Sequence, residues 1–568
     1  MIAARCGHAT ESLMNSSLIE DQLRRMTPEQ LRAAVSAYLP AEADSAERIR
    51  VIEAALRSPA GPQLREAMAR WIVHDIVPVE ALVPETYAAW RAPVRDAMMF
   101  VVTHLSAGRL APKLLEQLEL PPKSTPEARL LRLIAKVPGL QKLGQVIARN
   151  RHLGPALRNA LAKLENGIRD VRPEDMATLI RRELGARLTE FEVQIRPGIL
   201  SEASVSAVVR FTWRDPATGK LERGVFKVLK PHIPDCFAED MEFLHDLAQW
   251  FGTRHREYGF PRHVIPDTFN KVRRLLQHEV DFPREQKTLL EAWKQYESMP
   301  GVRVPRVLQP LCTSTITALT EEFGAKVTNA AAHLPDWRRR RIAEQLVEAL
   351  VAAPLFAADE QTVFHADPHA GNLLYNSESG ELIIIDWALR ERLTHRQRRH
   401  LALLFLTMTL RDPVGAANAV RELSQHPIRS RSPQAGMIRC SVARYLEEMP
   451  ATRLPGGADI MRLLEQLAVQ GIRFPAPLIM LSKVLFTLDG IVADIGGSTG
   501  GTGFAIVRHL AQRWLANPAA FRSPFRTMDW LTLQCSALLY GSRMWVRCEQ
   551  ALLDRLLPDR AGATAAPA

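Results

Sequence analysis

The chain has 568 residues, 47% of them hydrophobic and 24% charged, the balance of an ordinary soluble globular protein too long for one small core. Its net charge of +11 rests on scattered, mostly arginine residues with no interleaved aromatic stripe, which argues against a nucleic-acid-binding face. Six widely spaced cysteines without a Cys-x-x-Cys pair argue against a disulfide framework or zinc knuckle and fit a reducing compartment. The N-terminal MIAARCGHATESLMNSS has no continuous apolar region, so no secretory signal is expected. No run reaches the ~18 to 20 apolar residues of a membrane span. Leu401–Leu410 is short, Leu478–Ile495 is interrupted by Lys483, Asp489 and Asp494, and Trp530–Trp545 by Ser, Gly and Arg. The densest basic clusters, at 338–341 and 394–400, adjoin helical patterns and read as solvated helix ends. A cytoplasmic protein is expected, at most peripheral to the inner face of the membrane.

Residues 1–125 read as a helical extension: Pro28 follows Thr27 as a helix start, and Glu47–Leu56 and Glu66–Ile76 carry three-and-four apolar spacing. Pro121, Pro122 and Pro126 mark a linker. Region 126–190 stays helical, with a break at Pro138-Gly139, a turn near Gly154-Pro155 and a last helix from Pro173 to Gly185. The period changes at Phe191. Phe191–Ile195, Val205–Thr212 and Gly224–Leu229 read as strands, the last two joined by the turn sequence Arg214–Lys220. Pro231–Gly252, Val264–Glu279 and Pro283–Gln295 return to helix, and Val302–Leu308 and Thr315–Thr320 are further strand candidates. Region 191–325 is thus a small sheet with inserted helices. Region 326–560 begins with a long helix, Trp337–Phe356, and contains a hairpin, Leu373–Tyr375 and Leu382–Asp386. Everything after the hairpin reads as helix, and 561–568 as a disordered tail. There is no internal repeat. The fold class is α+β, a protein-kinase-like two-lobe arrangement with a small antiparallel sheet, a helical second lobe and additional helices at both ends.

Between those strands and helices lies His365-Ala366-Asp367-Pro368-His369-Ala370-Gly371-Asn372, and Ile383-Ile384-Ile385 ends in Asp386. Asp367, Asn372 and Asp386 are the three polar groups a kinase-type phosphotransferase needs: one carboxylate positions or deprotonates the acceptor, and the other two residues hold the magnesium that bridges ATP phosphates. His365, Asp367 and His369 could instead form a metal triad, but asparagine is a poor zinc ligand and a usual magnesium one. Lys227, flanked by apolar residues in a strand after a hairpin, stands where a phosphate-pairing lysine belongs. Glu279, Asp281 and Glu285 are candidates to hold it.

Together these segments resemble the UbiB/AarF-type atypical kinases linked to ubiquinone biosynthesis and lipid metabolism. Lys142, Gly144 and Gln145 match the family's Lys-x-Gly-Gln motif, and Ser201-Glu202-Ala203-Ser204-Val205 aligns with its alanine-rich loop. Glu279 and Asp281 match its Glu-x-Asp motif, Glu285 its helix-C glutamate, and Glu321-Glu322-Phe323-Gly324 its hinge. The resemblance covers about residues 130–500. It implies that ATP is held by Ala203, Ser204, Val205, Lys227, Glu322 and Phe323, and magnesium by Asn372 and Asp386. It also implies that Lys142 and Gln145 meet the Glu279/Asp281 pair and occlude peptide substrates, with lipid or quinone-pathway proteins as partners. Two departures bear on the site. Glu202 puts a carboxylate where the loop usually has alanine, and Asp386-Trp387-Ala388 replaces Asp-Phe-Gly, with an alanine that takes positive φ less cheaply than glycine. A small-molecule kinase resembling the aminoglycoside group, and a nucleotide-gated lipid- or complex-binding scaffold with negligible turnover, are the alternatives.

Overall fold

The computed structural model describes residues 44–148 apart from 122, 171–259, 264–450 apart from 358, 455–496 and 524–556, with isolated positions between 30 and 39. The helix start at Pro28, the turn near Gly154 and the tail at 561–568 lie outside the described residues. The chain divides into two compact units, Met1–Pro283 with Leu308–Leu319, and Arg284–Val307 with Thr320–Ala568.

In the first unit, helices Ser45–Arg57, Gly61–Trp71, Arg91–His104, Ala107–Glu119, Pro126–Ile134 and Pro138–Ala148 follow the apolar spacing of the sequence. Asp44 caps the first of them, accepting from the Glu47 amide at 2.7 Å. Trp71, Ile72, Leu110, Leu114 and Val137 form one core that continues into Leu244 and Leu247 of Ile233–Arg254 and Val272 and Leu276 of Val264–Val280. Helix Pro173–Leu184 ends at Gly185, whose φ of 51° is the left-handed stop glycine provides.

The sheet of this unit has the order β1 (Gln194–Ile195), β3 (Ser206–Arg214), β4 (Leu221–Leu229), β6 (Ile316–Thr320), with β2 (Ser201–Glu202) also on β3. β3 and β4 pair antiparallel with Val208 opposite Lys227 and Ala207 opposite Val228. One face buries Ala207, Val209, Phe211, Phe226 and Val228 under Met176, Ile180 and Leu184. The Phe211 and Phe226 rings stack at 3.8 Å, and a Cβ on Gly224 would meet Phe211 at 2.4 Å, so that position admits only glycine. By the period-two rule, Lys227 lies on the opposite face.

In the second unit, β9 (Leu373–Asn376) and β10 (Glu381–Ile384) form the expected hairpin, with β7 (Ala325–Lys326) on β9 and β5 (Val302–Arg303) parallel to β10. The strand expected over Val302–Leu308 is therefore two residues long. The region after the hairpin is not wholly helical. Arg390–Thr394 is a strand, β11, paired antiparallel with β8 (Gln361–His365), placing Arg390 opposite His365. Arg-Glu-Arg-Leu-Thr has no apolar alternation, so its extended state comes from pairing rather than from burial. The helix expected over 337–356 runs its full length, with a π-turn at Glu348–Ala352 where the Tyr296 hydroxyl donates to the Ala349 carbonyl at 2.7 Å.

The 394–400 cluster is not a solvated helix end. Thr394 and Gln397 form a capping box, Arg398 is buried and donates to the carbonyls of Ala357 and Asp359, and Arg399 holds Asp529 through two bonds of 2.6 and 2.7 Å. Helix Ala476–Asp494 is, by length and composition alone, long and apolar enough to cross a membrane, with a mean hydropathy of 1.7. The charges expected to interrupt that run do not bring it below this level. Leu478, Leu481, Val484, Leu485 and Leu488 of the same helix are buried in protein.

Candidate functional site

The first unit carries the motifs expected around the nucleotide and the gate. Ala203 to Val205 make a tight return, in which the Ala203 amide donates to the Ser206 carbonyl at 2.8 Å, so β2 runs back against β3. Ala203 is exposed, whereas Ser204 and Val205 are buried. Lys227 projects from β4 with its ammonium 5.7 Å from the centre of the Phe282 ring. Glu202 does not carry its charge outward. It forms a 3.0 Å ion pair with Lys230, the two side chains 5% and 0% exposed. The carboxylate that the sequence sets against phosphates is thus already matched by an ammonium at the end of the lysine strand.

Lys142, on Pro138–Ala148, forms an ion pair with Glu279, whose other oxygen accepts from the Ser204 hydroxyl at 3.3 Å. The Lys-x-Gly-Gln lysine is therefore joined through one carboxylate to the alanine-rich-loop segment. Gly144 is buried, Asp281 is exposed in the break between Val264–Val280 and Phe282–Tyr296, and the Gln145 side chain lies outside the described residues.

In the second unit, β8 delivers His365, fully buried, to the start of the loop. Its Nε2 faces the carbonyls of Asp386 at 2.9 Å and Ile385 at 3.2 Å, so that nitrogen carries the proton, and Nδ1 accepts the Asp367 amide at 3.2 Å. Burial holds the imidazole below its ordinary pKa and keeps it neutral. With both nitrogens engaged, His365 is a buttress and not a metal ligand. His369 accepts the Gly371 amide at 3.1 Å, capping the short turn Ala370–Asn372. Among the described residues no group of three or more His, Cys, Asp or Glu side chains is placed to hold a metal, which removes the His/Asp/His triad.

Asn372 donates from its amide nitrogen to the Asp367 carbonyl at 3.2 Å, leaving its oxygen as the ligand atom it can offer. Asp386 adopts a φ of 58°, a left-handed conformation that aspartate tolerates better than most side chains. That reversal ends the strand, and the buried Trp387 pins it by donating to the Ile384 carbonyl at 3.2 Å and lying edge-on to His365 at 5.0 Å. The positive φ falls on Asp386 and not on Ala388, so alanine at 388 carries no strain in this conformation. Two oxygen donors, one from asparagine and one from aspartate, suit a hard cation that completes its shell with phosphate and water.

Glu285 is buried at 3% exposure on Phe282–Tyr296, a state a carboxylate holds only with compensation. Phe323 is half exposed, while Glu322 accepts from Thr320 at 2.9 Å and Arg303 at 3.3 Å, with burial raising its pKa. The sequence reading missed Lys483. Its ammonium donates to Asp367 Oδ1 at 2.7 Å from helix Ala476–Asp494. The available signal was a single lysine in the middle of an otherwise apolar helical run, which needs a carboxylate partner or a route to water.

The α+β fold and this loop are those of a kinase-like protein. Residues 163–420 match the ABC1 atypical kinase-like domain. The chain is 26% identical over 433 residues to the uncharacterized protein sll1770 of Synechocystis, covering 75% of this chain and 71% of that one. Proteins named probable protein kinase UbiB are 22% identical in Glaesserella parasuis, over 68% of this chain and 70% of theirs, and 23% identical in Azotobacter vinelandii, over 66% and 69%. The solved complex of Rv3197 with erythromycin from Mycobacterium tuberculosis aligns with a TM-score of 0.42 at 17% identity, over 65% of this chain and 90% of that one. The chain thus carries an atypical kinase-like domain similar to that of the UbiB-named proteins.

Proposed function

We propose that this chain binds ATP with magnesium and acts as an atypical kinase-like ATPase or phosphotransferase. The observation that carries the reading is the arrangement of Asp367, Asn372 and Asp386, fixed to one another through His365 and the loop backbone. Asn372 and Asp386 would offer the metal one oxygen each, and Lys227 would pair with the phosphates. Magnesium, when bound, supplies neutralisation of the phosphate oxygens. Asp367 accepts the proton of the attacking hydroxyl group or water as the new oxygen–phosphorus bond forms and the bond to the leaving ADP oxygen breaks. The connection from Lys142 through Glu279 to Ser204 favours this reading over an aminoglycoside-type kinase, in which Lys142 has no special task. Service in ubiquinone biosynthesis or lipid metabolism, with membrane-peripheral partners, is part of the proposal and rests on likeness to UbiB-named relatives.

The test is phosphate release from ATP by the full chain, with and without anionic liposomes. Magnesium-dependent release that Asp367→Asn abolishes is the expected result. ATP binding with negligible release under both conditions would replace the enzyme reading with a nucleotide-gated scaffold.

A further inference from the structure

Lys483 lies 116 residues after Asp367, on a helix whose neighbouring side chains Leu481, Val484 and Leu485 are buried apolar groups. Its ammonium nevertheless reaches Asp367 Oδ1 at 2.7 Å, and the two side chains are 35% and 16% exposed. An exposed pair of this kind contributes little to stability. Here the carboxylate half is shielded and belongs to the loop, so the pair fixes an orientation. The loop 365–372 contains no lysine or arginine of its own. The Asp367 backbone is held as well, its amide by His365 and its carbonyl by Asn372.

We infer that Lys483 is a positioning residue for Asp367, a cation supplied from a distant helix that aims the carboxylate at the oxygen nucleophile. The inference rests on the nucleotide reading above. Lys483 acts through Asp367, and its removal should weaken the state in which Asp367 orients the nucleophile while sparing nucleotide binding.

The experiment compares the affinity of the full chain for magnesium–ATP with its affinity for magnesium–ADP–fluoroaluminate, which mimics the group in transfer. Lys483→Met should weaken the fluoroaluminate complex about 10- to 100-fold, the cost of a misaimed reacting group, and leave ATP affinity within about twofold. Lys483→Arg should recover most of the loss. Asp367→Asn combined with Lys483→Met should be no weaker than Asp367→Asn alone, because the lysine works through that carboxylate. Unchanged fluoroaluminate affinity in Lys483→Met, losses that add in the double variant, or equal loss of ATP affinity would each overturn the inference. Absence of magnesium-dependent ATP binding in the wild type would overturn the nucleotide reading itself and this inference with it.

Discussion

Replacing Glu202 by alanine tests whether the departure from the alanine-rich loop is structural. The carboxylate lies 3.0 Å from Lys230, with the lysine side chain fully buried and the glutamate 5% exposed. At an effective dielectric of 20, charges this close attract by about 5 to 6 kcal/mol, and desolvation of both offsets much of that. Removing one partner leaves the other in a buried site without that attraction, at a cost of roughly 3–5 kcal/mol. For a unit of this size that lowers the melting temperature by roughly 6–10 °C. Scanning calorimetry on the full chain reads the shift in the transition of the first unit. Glu202→Leu with Lys230→Met removes both charges and should restore most of the stability, since apolar replacement of a buried pair is often neutral. A single variant melting within about 1 °C of wild type would refute the pair's structural role. So would a double variant as unstable as the single one.

Three further outcomes follow from named contacts. Lys142→Ala should shift ATP affinity by roughly tenfold, about the 1.4 kcal/mol of a charge-assisted hydrogen bond, because it frees Glu279 and with it Ser204. Unchanged binding and turnover would favour a small-molecule kinase of the aminoglycoside type. Lys113, buried and donating to the Ala135 carbonyl, has its pKa lowered to about 7 by desolvation. The unfolded chain therefore binds more protons between about pH 7 and 10.5, so stability should rise with pH across that window, and Lys113→Met should flatten the rise in melting temperature. Trp387→Ala, which empties a fully buried site beside His365, should cost roughly 3–5 kcal/mol in a denaturation experiment and weaken magnesium-dependent ATP binding by releasing the turn at Asp386.

Much of the helical framework was legible because helices carry their own signals. Pro173 and Gly185 bracket one of them as proline and glycine should, and the turn over Arg214–Lys220 places Gly219 at a φ of 65°. Elements fixed by partners far along the chain were not legible. β11 has almost no apolar pattern and exists through its pairing with β8, and Val302–Arg303 is a strand only beside Leu382 and Ile383. The loop residues Asp367, Asn372 and Asp386 could be read from spacing, since one short loop and one hairpin bring them together. The charge partners could not. Lys483 and Lys230 were visible as residues, but their pairing with Asp367 and Glu202 depends on tertiary placement.

Asn372 and Asp386 are expected to make ATP binding depend on magnesium. Isothermal titration of ATP into the full chain, with magnesium and with a chelator, measures it most directly. The expected result is tighter binding with magnesium in the wild type, and an Asp386→Asn variant that keeps its fold but loses the metal-dependent increment. Equal affinity with and without magnesium in the wild type, or an Asp386→Asn variant that keeps the full increment, would contradict it.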